Sequence, residues 1–538
     1  MNKWYFRFLL VVGVLPAIIQ YIASYMISLN LPPIVAQILT LFIFLVGLAW
    51  AFRLPFAGSI LRVIGGVFHG IWLLLSGIIG FLIPGRIIRG SRFMRPWSQY
   101  LLLNSFHKGF LVDGYKRRFS KKVSFQSLLT VAGVGKGKTS TFIIPNLLTL
   151  DNCSMVTLDT SGELYDQTSG DLKKKGFDIQ VLDLMNVTES QGYNPLTNAS
   201  SYTEIAQVAN LIMRSAMPTD SDPFWTAGGE KIIRIFIQCL KNIGDEDYVN
   251  LANVKYLLNN WDSCSSGSRI DSFVARATVN DSATFYDYKG FISGNEKTVL
   301  SFLSTADTAL NALGNPDIAN LTSLHDFDFK RLRKQKTVLY VKVRQQDLPF
   351  YSFILNQFFT ELFNSLLSDL SPRNIPCYLL LDEFGHLTIP NFEVFATTAR
   401  KYKVGFWVML QSLAQLESRY GRSGAETILD GLQSEIYFGG IALDTAKSLE
   451  RRMGNQWIQS GFGRNARVQQ EHLMTESEII QMRDNEVLIF HSNKPPIKLR
   501  TKPFYKQGNM LRASRINPVK VGQNRRPEPV DKPFFIPL

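Results

Sequence analysis

The sequence predicts an α/β fold: a mostly parallel, helix-covered sheet, interrupted by an all-helical insertion and preceded by an apolar region of membrane-spanning length. Three observations predict it. Short β-prone runs alternate with helix-length segments along most of the chain. Residues 198–325 hold no convincing strand and many helical windows, such as Glu204–Met213 and Glu230–Asn242. Three apolar stretches of about 20 residues, the length that crosses a bilayer as a helix, open the chain.

The strand signals are Leu128–Val131, Met155–Leu158, Ile179–Leu182, Thr337–Val343, Cys377–Leu381, Gly405–Leu410, Glu435–Phe438 and Glu486–Phe490. Residues 198–325 fall between strands, which makes them an insertion. Phe224, Trp225 and Trp261 read as core aromatics of that insertion rather than base-stacking platforms. Gly461-Phe-Gly-Arg-Asn465 reads as a mobile loop.

The apolar stretches are Phe8–Ile27, Ile34–Phe52 and Val63–Ile83; hydrophobic content is 46%, high for a purely soluble protein, and most of the excess sits before residue 85. A cleaved signal peptide would explain only the first. Arg86, Arg89, Arg92 and Arg95 follow the third and place that end in the cytoplasm. Lys3 and Arg7 argue for a cytoplasmic N-terminus as well, which three spans do not allow. The expectation is a membrane anchor with a cytosolic body, and the number of spans stays open.

Net charge is +14 and its placement is uneven. Arg86–Lys122 carries ten Lys/Arg and one Asp, and Lys494–Leu538 eleven Lys/Arg and two acids, so the body between them is slightly acidic. That excludes a broadly basic nucleic-acid-coating protein. The first basic strip reads as the cytoplasmic flank of the anchor, and the second as a solvated extension. Four scattered cysteines without Cys-x-x-Cys spacing read as reduced thiols.

Chemistry concentrates after the first strand. Ala132-Gly-Val-Gly-Lys-Gly-Lys-Thr139 follows Leu128–Val131, and Ser140–Leu150 reads as a helix. Strand, glycine-rich loop and helix in that order form a P-loop, here with Ala132 in place of the usual first glycine. The loop residues, Gly133, Val134, Gly135, Lys136 and Gly137 with Ser140 beyond, let successive backbone N–H groups turn toward phosphate oxygens. Lys138 is placed for the β- and γ-phosphates of ATP, and Thr139 for magnesium.

A second acidic element ends the strand Cys377–Leu381. Asp382 suits the magnesium shell and Glu383 suits polarising an attacking water. A strand ending in exposed acids is the plain alternative, and a P-loop upstream argues against it. Gln411 ends the next strand, where a polar side chain can sense the γ-phosphate. Arg400 ends the intervening helix. Two readings of it stand: a cation favoured by the helix dipole, or an arginine reaching a neighbouring subunit's nucleotide.

Leu380-Leu-Asp-Glu-Phe-Gly-His-Leu-Thr-Ile-Pro-Asn-Phe-Glu-Val-Phe-Ala-Thr-Thr-Ala-Arg-Lys-Tyr402 resembles the acidic motif of TraG-type coupling proteins of type IV secretion systems. Met409-Leu-Gln-Ser-Leu-Ala-Gln-Leu-Glu-Ser-Arg-Tyr-Gly421 resembles that family's next motif. Gly90–Trp97, Ile144–Leu148, Asp159–Leu164, Tyr193–Leu196 and Asp222–Trp225 are similar to further family segments, so the resemblance spans about residues 90–505. It implies a RecA-like motor with a helical insertion, assembled as a homo-hexamer at the bacterial inner membrane. It also implies ATP and magnesium as cofactors. The implied cargo is single-stranded DNA with its relaxase, or an effector protein, delivered to the secretion channel. Lys138, Thr139, Asp382 and Glu383 then carry the nucleotide site, with Gln411 as sensor and Arg400 as the finger acting in trans.

The resulting division is residues 1–85 anchor, 86–197 and 326–505 motor, 198–325 insertion, and 506–538 basic tail. One departure from the family pattern is Thr160-Ser161 in place of the usual Pro-Lys. Two rival readings stay open: a docking receptor whose ring is merely assembled by ATP, and a double-stranded DNA translocase, which would lack the Asp-Glu-Phe context. Arg234, Lys241 and Arg269 are the DNA-contact candidates of the insertion.

Overall fold

The computed structural model describes residues 86–217, 222–261, 268–460, 467–520 and 535–538. The three apolar stretches, Cys264 and the whole of the expected 461–465 loop therefore lie outside the described residues. The chain divides into a smaller unit, residues 1–89 with 457–469, and a larger one, residues 90–456 with 470–538. The strands Arg86–Gly90, Asn455–Ser460 and Arg467–His472 pair in that order as a small sheet. The last two are mostly polar, so no apolar run marks them in the sequence.

The larger unit is built on a nine-stranded sheet. Its strands are β1 (Leu128–Val131), β2 (Ser154–Asp159), β3 (Asp178–Asp183), β4 (Thr337–Lys342), β5 (Cys377–Leu381), β6 (Val404–Leu410), β7 (Ser434–Phe438), β8 (Glu486–His491) and β9 (Ile497–Arg500). The spatial order is β9-β8-β7-β1-β6-β5-β2-β4-β3. Every pair from β7 to β3 is parallel, while β8 runs antiparallel to both β7 and β9.

Eight of these strands lie where the apolar runs predict them. The ninth, Ile-Lys-Leu-Arg, alternates buried and exposed residues at the sheet edge, where Lys498 lies 3.1 Å from Glu486. A charged, half-exposed edge blunts further strand pairing and leaves only a weak sequence signal.

Both faces of the sheet are covered, as parallel sheets require. Along β6, Phe406, Val408 and Leu410 enter one core while Trp407 and Met409 enter the other. Along β5, Leu379 and Leu381 oppose Tyr378 and Leu380 in the same way. The first core is continuous with Ile232, Phe236 and Leu240 of the helical segment. The second includes Leu147 and Leu172 of the helices Ile144–Thr149 and Glu163–Lys174.

Among the described residues, 198–325 contain helices and turns and no strand. Local chemistry sets their ends. Ser201 and Glu204 form a reciprocal capping box at Tyr202–Ala216. Asp222 caps Pro223–Ile243, which stops at Gly244 in the left-handed conformation.

Two expectations are corrected here. Phe224 and Trp225 are 53% and 39% exposed, meeting each other and the half-buried Phe302 at 5.1 and 5.6 Å, whereas Trp261 packs against the core. The basic tail is not simply solvated. The helix Gly508–Ser514 packs on the body, and Ile536 is buried again.

Trp407 is the largest fully buried side chain, with its indole N–H donating to Thr130 Oγ1 at 2.9 Å and its ring 5.1 Å from Phe110. Truncation leaves a cavity and an unpaired hydroxyl. Trp407→Ala is expected to lower unfolding free energy by about 4 kcal/mol, read as a drop in urea midpoint. Trp407→Phe should lose clearly less.

Candidate functional site

The loop between β1 and the following helix is anchored at its start by Ala132 N–H, which donates to Leu410 O at 3.1 Å. Ala132 is fully buried, so the position departing from the P-loop pattern is a packed residue. Gly135 and Gly137 have φ of +72° and +75°, a region that favours glycine. Val134 is exposed, Lys136 pairs with Asp484 at 2.7 Å, and Ser140 Oγ donates to Gly137 O at 3.2 Å. Gly133 has room for ordinary contact with Gly440 O only.

The helix after the loop opens as a π turn over Thr139–Ile143 before continuing as Ile144–Thr149. Pro145 accounts for this. It lacks an N–H and its ring would crowd the carbonyl of Thr141, so the first turn widens. Asn146 is buried and bonds Leu111 on both its N–H (2.8 Å) and its carbonyl (3.0 Å), which ties the helix to the preceding segment.

Strand order brings the expected residues together. β6 lies between β1 and β5 and pairs parallel with both, so the loop, Asp382-Glu383 and Gln411 all leave the same edge of the sheet. Thr139 Oγ1 donates to Asp382 Oδ2 at 2.5 Å. Lys138 Nζ donates to Ala132 O at 2.9 Å and lies 3.8 Å from Glu383 Oε1. Gln411 Nε2 donates to Glu383 Oε2 at 2.8 Å.

The sequence reading missed two further groups. His386 Nε2 is 3.7 Å from Glu383 Oε2 and 2.7 Å from Gln345 Nε2. His386 stands three residues after the acid on the short turn Phe384–His386, a spacing that could have flagged it.

This cluster can cradle a polyphosphate anion. Its loop N–H groups and Lys138 carry positive potential. Thr139 and Asp382 are already in mutual contact and offer the oxygen pair that a hard divalent cation takes. Glu383 is a second carboxylate, held in orientation by an amide.

Arg400 is not part of this cluster. It is exposed on the turn Ala399–Tyr402, before β6, while Gln411 follows β6. A seven-residue strand separates them, roughly 20 Å.

At the end of β2, Asp159 is buried, accepting N–H groups from Gly162 (2.8 Å) and Tyr165 (2.9 Å). Lys342 aligns with it on β4 but is committed to Asp183 and lies over the Tyr165 ring. It does not stand in for the cation missing at Ser161. Of the DNA-contact candidates, Arg234 is occupied by Asp287 at 2.9 Å and by the Tyr202 ring.

Burial pushes the Asp382 carboxyl up to about 6; the Thr139 hydrogen bond and Lys138 oppose this, and the Glu383 charge adds to it. A carboxyl raised on folding stabilises the protein below its ordinary pKa near 4, and that contribution is lost as pH rises through about 6. Metal-free protein at pH 8 thus carries a buried carboxylate that Asp382→Asn removes. The variant should melt higher than wild type at pH 8 in EDTA, by an amount on the order of 2 kcal/mol. The gap should narrow steadily toward pH 4. A gap independent of pH would mean Asp382 is not the titrating group.

The family model described as "Type IV secretory system Conjugative DNA transfer" matches residues 105–528. "Protein VirD4" of Rhizobium radiobacter is 24% identical over 412 residues, covering 71% of this chain and 58% of that protein. "Conjugal transfer protein TraG" of the same organism is 23% identical over 430 residues, 74% of this chain and 62% of that protein. The chain thus spans less than two thirds of the length of these relatives. The solved plasmid coupling protein TrwB in complex with ADP and Mg2+ matches with a TM-score of 0.58 at 16% identity, covering 78% of this chain and 96% of that one. That likeness carries the fold alone, an α/β P-loop fold. With the greater part of its length matched, the chain belongs to the type IV secretory system conjugative DNA transfer family.

Proposed function

We propose that the chain is the coupling ATPase of a type IV secretion system, which takes up substrate and drives it into the channel by ATP hydrolysis. The substrate in this reading is single-stranded DNA with its relaxase, or an effector protein. The observation that carries it is Glu383, held by Gln411 at 2.8 Å and set 3.8 Å from Lys138. A ring that only assembles on ATP has no use for an aligned second acid; hydrolysis does. Lys138 and the loop Ala132–Ser140 would hold the phosphates, and Thr139 with Asp382 would hold magnesium. Magnesium, when bound, neutralises charge on the phosphates. Glu383 takes the proton of the attacking water, and Gln411 keeps its carboxylate turned inward.

Arg400, outside its own subunit's cluster, is read as the finger for a neighbour's nucleotide in a homo-hexamer. Residues 1–85 would anchor the ring in the bacterial inner membrane with the body in the cytoplasm, supported by the apolar stretches and the arginines after them. The domain division stays as above, with 198–325 as the insertion between motor segments 86–197 and 326–505, and 506–538 as the tail.

The test is ATP turnover by the detergent-solubilised protein, with and without single-stranded DNA. Glu383→Gln should bind ATP normally and hydrolyse it 10²–10⁴-fold more slowly. Wild-type protein that binds ATP but never turns it over, even with DNA and relaxase present, would favour the docking receptor. Arg400→Ala should also bind ATP and lose at least about 10³-fold in turnover. Mixed with wild type, it should depress turnover more than in proportion to its share, because each finger serves a neighbour.

A further inference from the structure

Residues 198–325 carry nine Lys/Arg against fourteen Asp/Glu, whereas 506–538 carry seven Lys/Arg against two acids. The acidic helical segment and the basic tail are thus opposite in sign, and the tail touches both it and the motor. On the motor side it crosses the helix Glu163–Lys174. Val519 N–H donates to Ser169 Oγ at 3.2 Å, and the Tyr165 hydroxyl donates to Val519 O. The crossing passes over Gly170, where a Cβ would collide with Asn517 O.

On the helical side the tail meets the helix Leu251–Asn259. Ile536 N–H donates to Asn253 Oδ1 at 2.9 Å. Phe535 stacks on Tyr256 with ring centroids 4.7 Å apart and planes at 26°. Ile536 is buried in the same apolar core as Leu251 and Val254, with Leu538 packed beside it. Asp245, Glu246 and Asp247 stand exposed just before this helix. The contact has the parts of short-peptide recognition: one main-chain hydrogen bond, an aromatic anchor and an apolar pocket, with acidic residues exposed beside them.

We propose that the helix Leu251–Asn259 carries a peptide-docking groove, held in this structure by residues 535–538 as a detachable internal ligand. The partner it fits is a protein segment of the same chemistry: several Lys/Arg followed by an aromatic, an aliphatic, a proline and an aliphatic residue. Tethering gives the internal segment a local concentration near millimolar, so it excludes weaker peptides and yields to stronger ones. The proposal is independent of nucleotide hydrolysis and is read by binding alone.

The probe is a labelled peptide of residues 520–538, titrated against the full chain in detergent by fluorescence anisotropy. Ile536→Asp in the chain should release the internal segment and tighten peptide binding at least about 10-fold over wild type. Adding Tyr256→Ala should reverse the gain by about 10-fold. A peptide with Lys520, Arg525, Arg526 and Lys532 changed to Glu should bind at least about 10-fold more weakly at low salt.

Phe535→Ala is a gentler release. It should speed amide exchange in Leu251–Asn259 while leaving Pro223–Ile243 unchanged, which separates release from unfolding. Equal affinity for wild type and Ile536→Asp, no binding to Ile536→Asp, or indifference to Tyr256→Ala would each overturn the proposal.

Discussion

The site depends on one constraint: β6 is wedged between β1 and β5, parallel to both. Parallel pairing brings all three strands to the same edge, so groups from positions 132–139, 382–383 and 411 meet there although they are far apart in sequence. Fully buried Trp407 holds the wedge on one face through Thr130, and Phe406 packs against Phe363 and Phe392 on the other. The hydrogen bond from Ala132 N–H to Leu410 O closes the last gap, so the loop begins where β6 ends.

The wedge also determines the electrostatics. Side chains at the end of a sheet covered on both faces lose water, and Asp382 responds with a raised pKa despite Lys138 nearby. The Thr139 hydroxyl donates to that carboxyl and Lys138 donates to a backbone carbonyl. The polar groups are thus paired among themselves in an arrangement that an incoming anion and cation can replace partner for partner. Such a site needs little rebuilding on binding, because its donors and acceptors are already aimed.

The legible part of this was what burial dictates. The eight apolar strands stand out because both faces of each are covered, and the P-loop stands out because its glycines have backbone work to do. The ninth strand was hidden because its alternation runs for only four residues, with Ile497 and Leu499 buried between charges, and the small sheet because its last two strands are mostly polar. Phe224 and Trp225 were misread because residue type cannot say whether a helix start faces the core or the rim. His386 stands three residues from Glu383, a spacing that could have flagged it, whereas Gln345 reaches His386 only through chain folding. The tail was misread for a related reason: what holds it is a few hydrogen bonds and apolar side chains, which a Pro-interrupted basic composition hides.

The Asp-Glu pair itself poses a geometric problem that the backbone solves. Successive side chains of a strand point to opposite faces, so an extended chain through 382 and 383 could aim only one carboxylate at the loop. Glu383 instead adopts φ +51°, the left-handed region. A non-glycine residue held there costs on the order of 1–2 kcal/mol. The bend turns the second carboxylate back, so that Asp382 meets Thr139 while Glu383 meets Lys138 and Gln411. Glycine would adopt this conformation without strain. A strained acid at a position where glycine would relax the chain is what a requirement for that carboxylate produces, and Gln411, His386 and the β5–β6 pairing hold it in place.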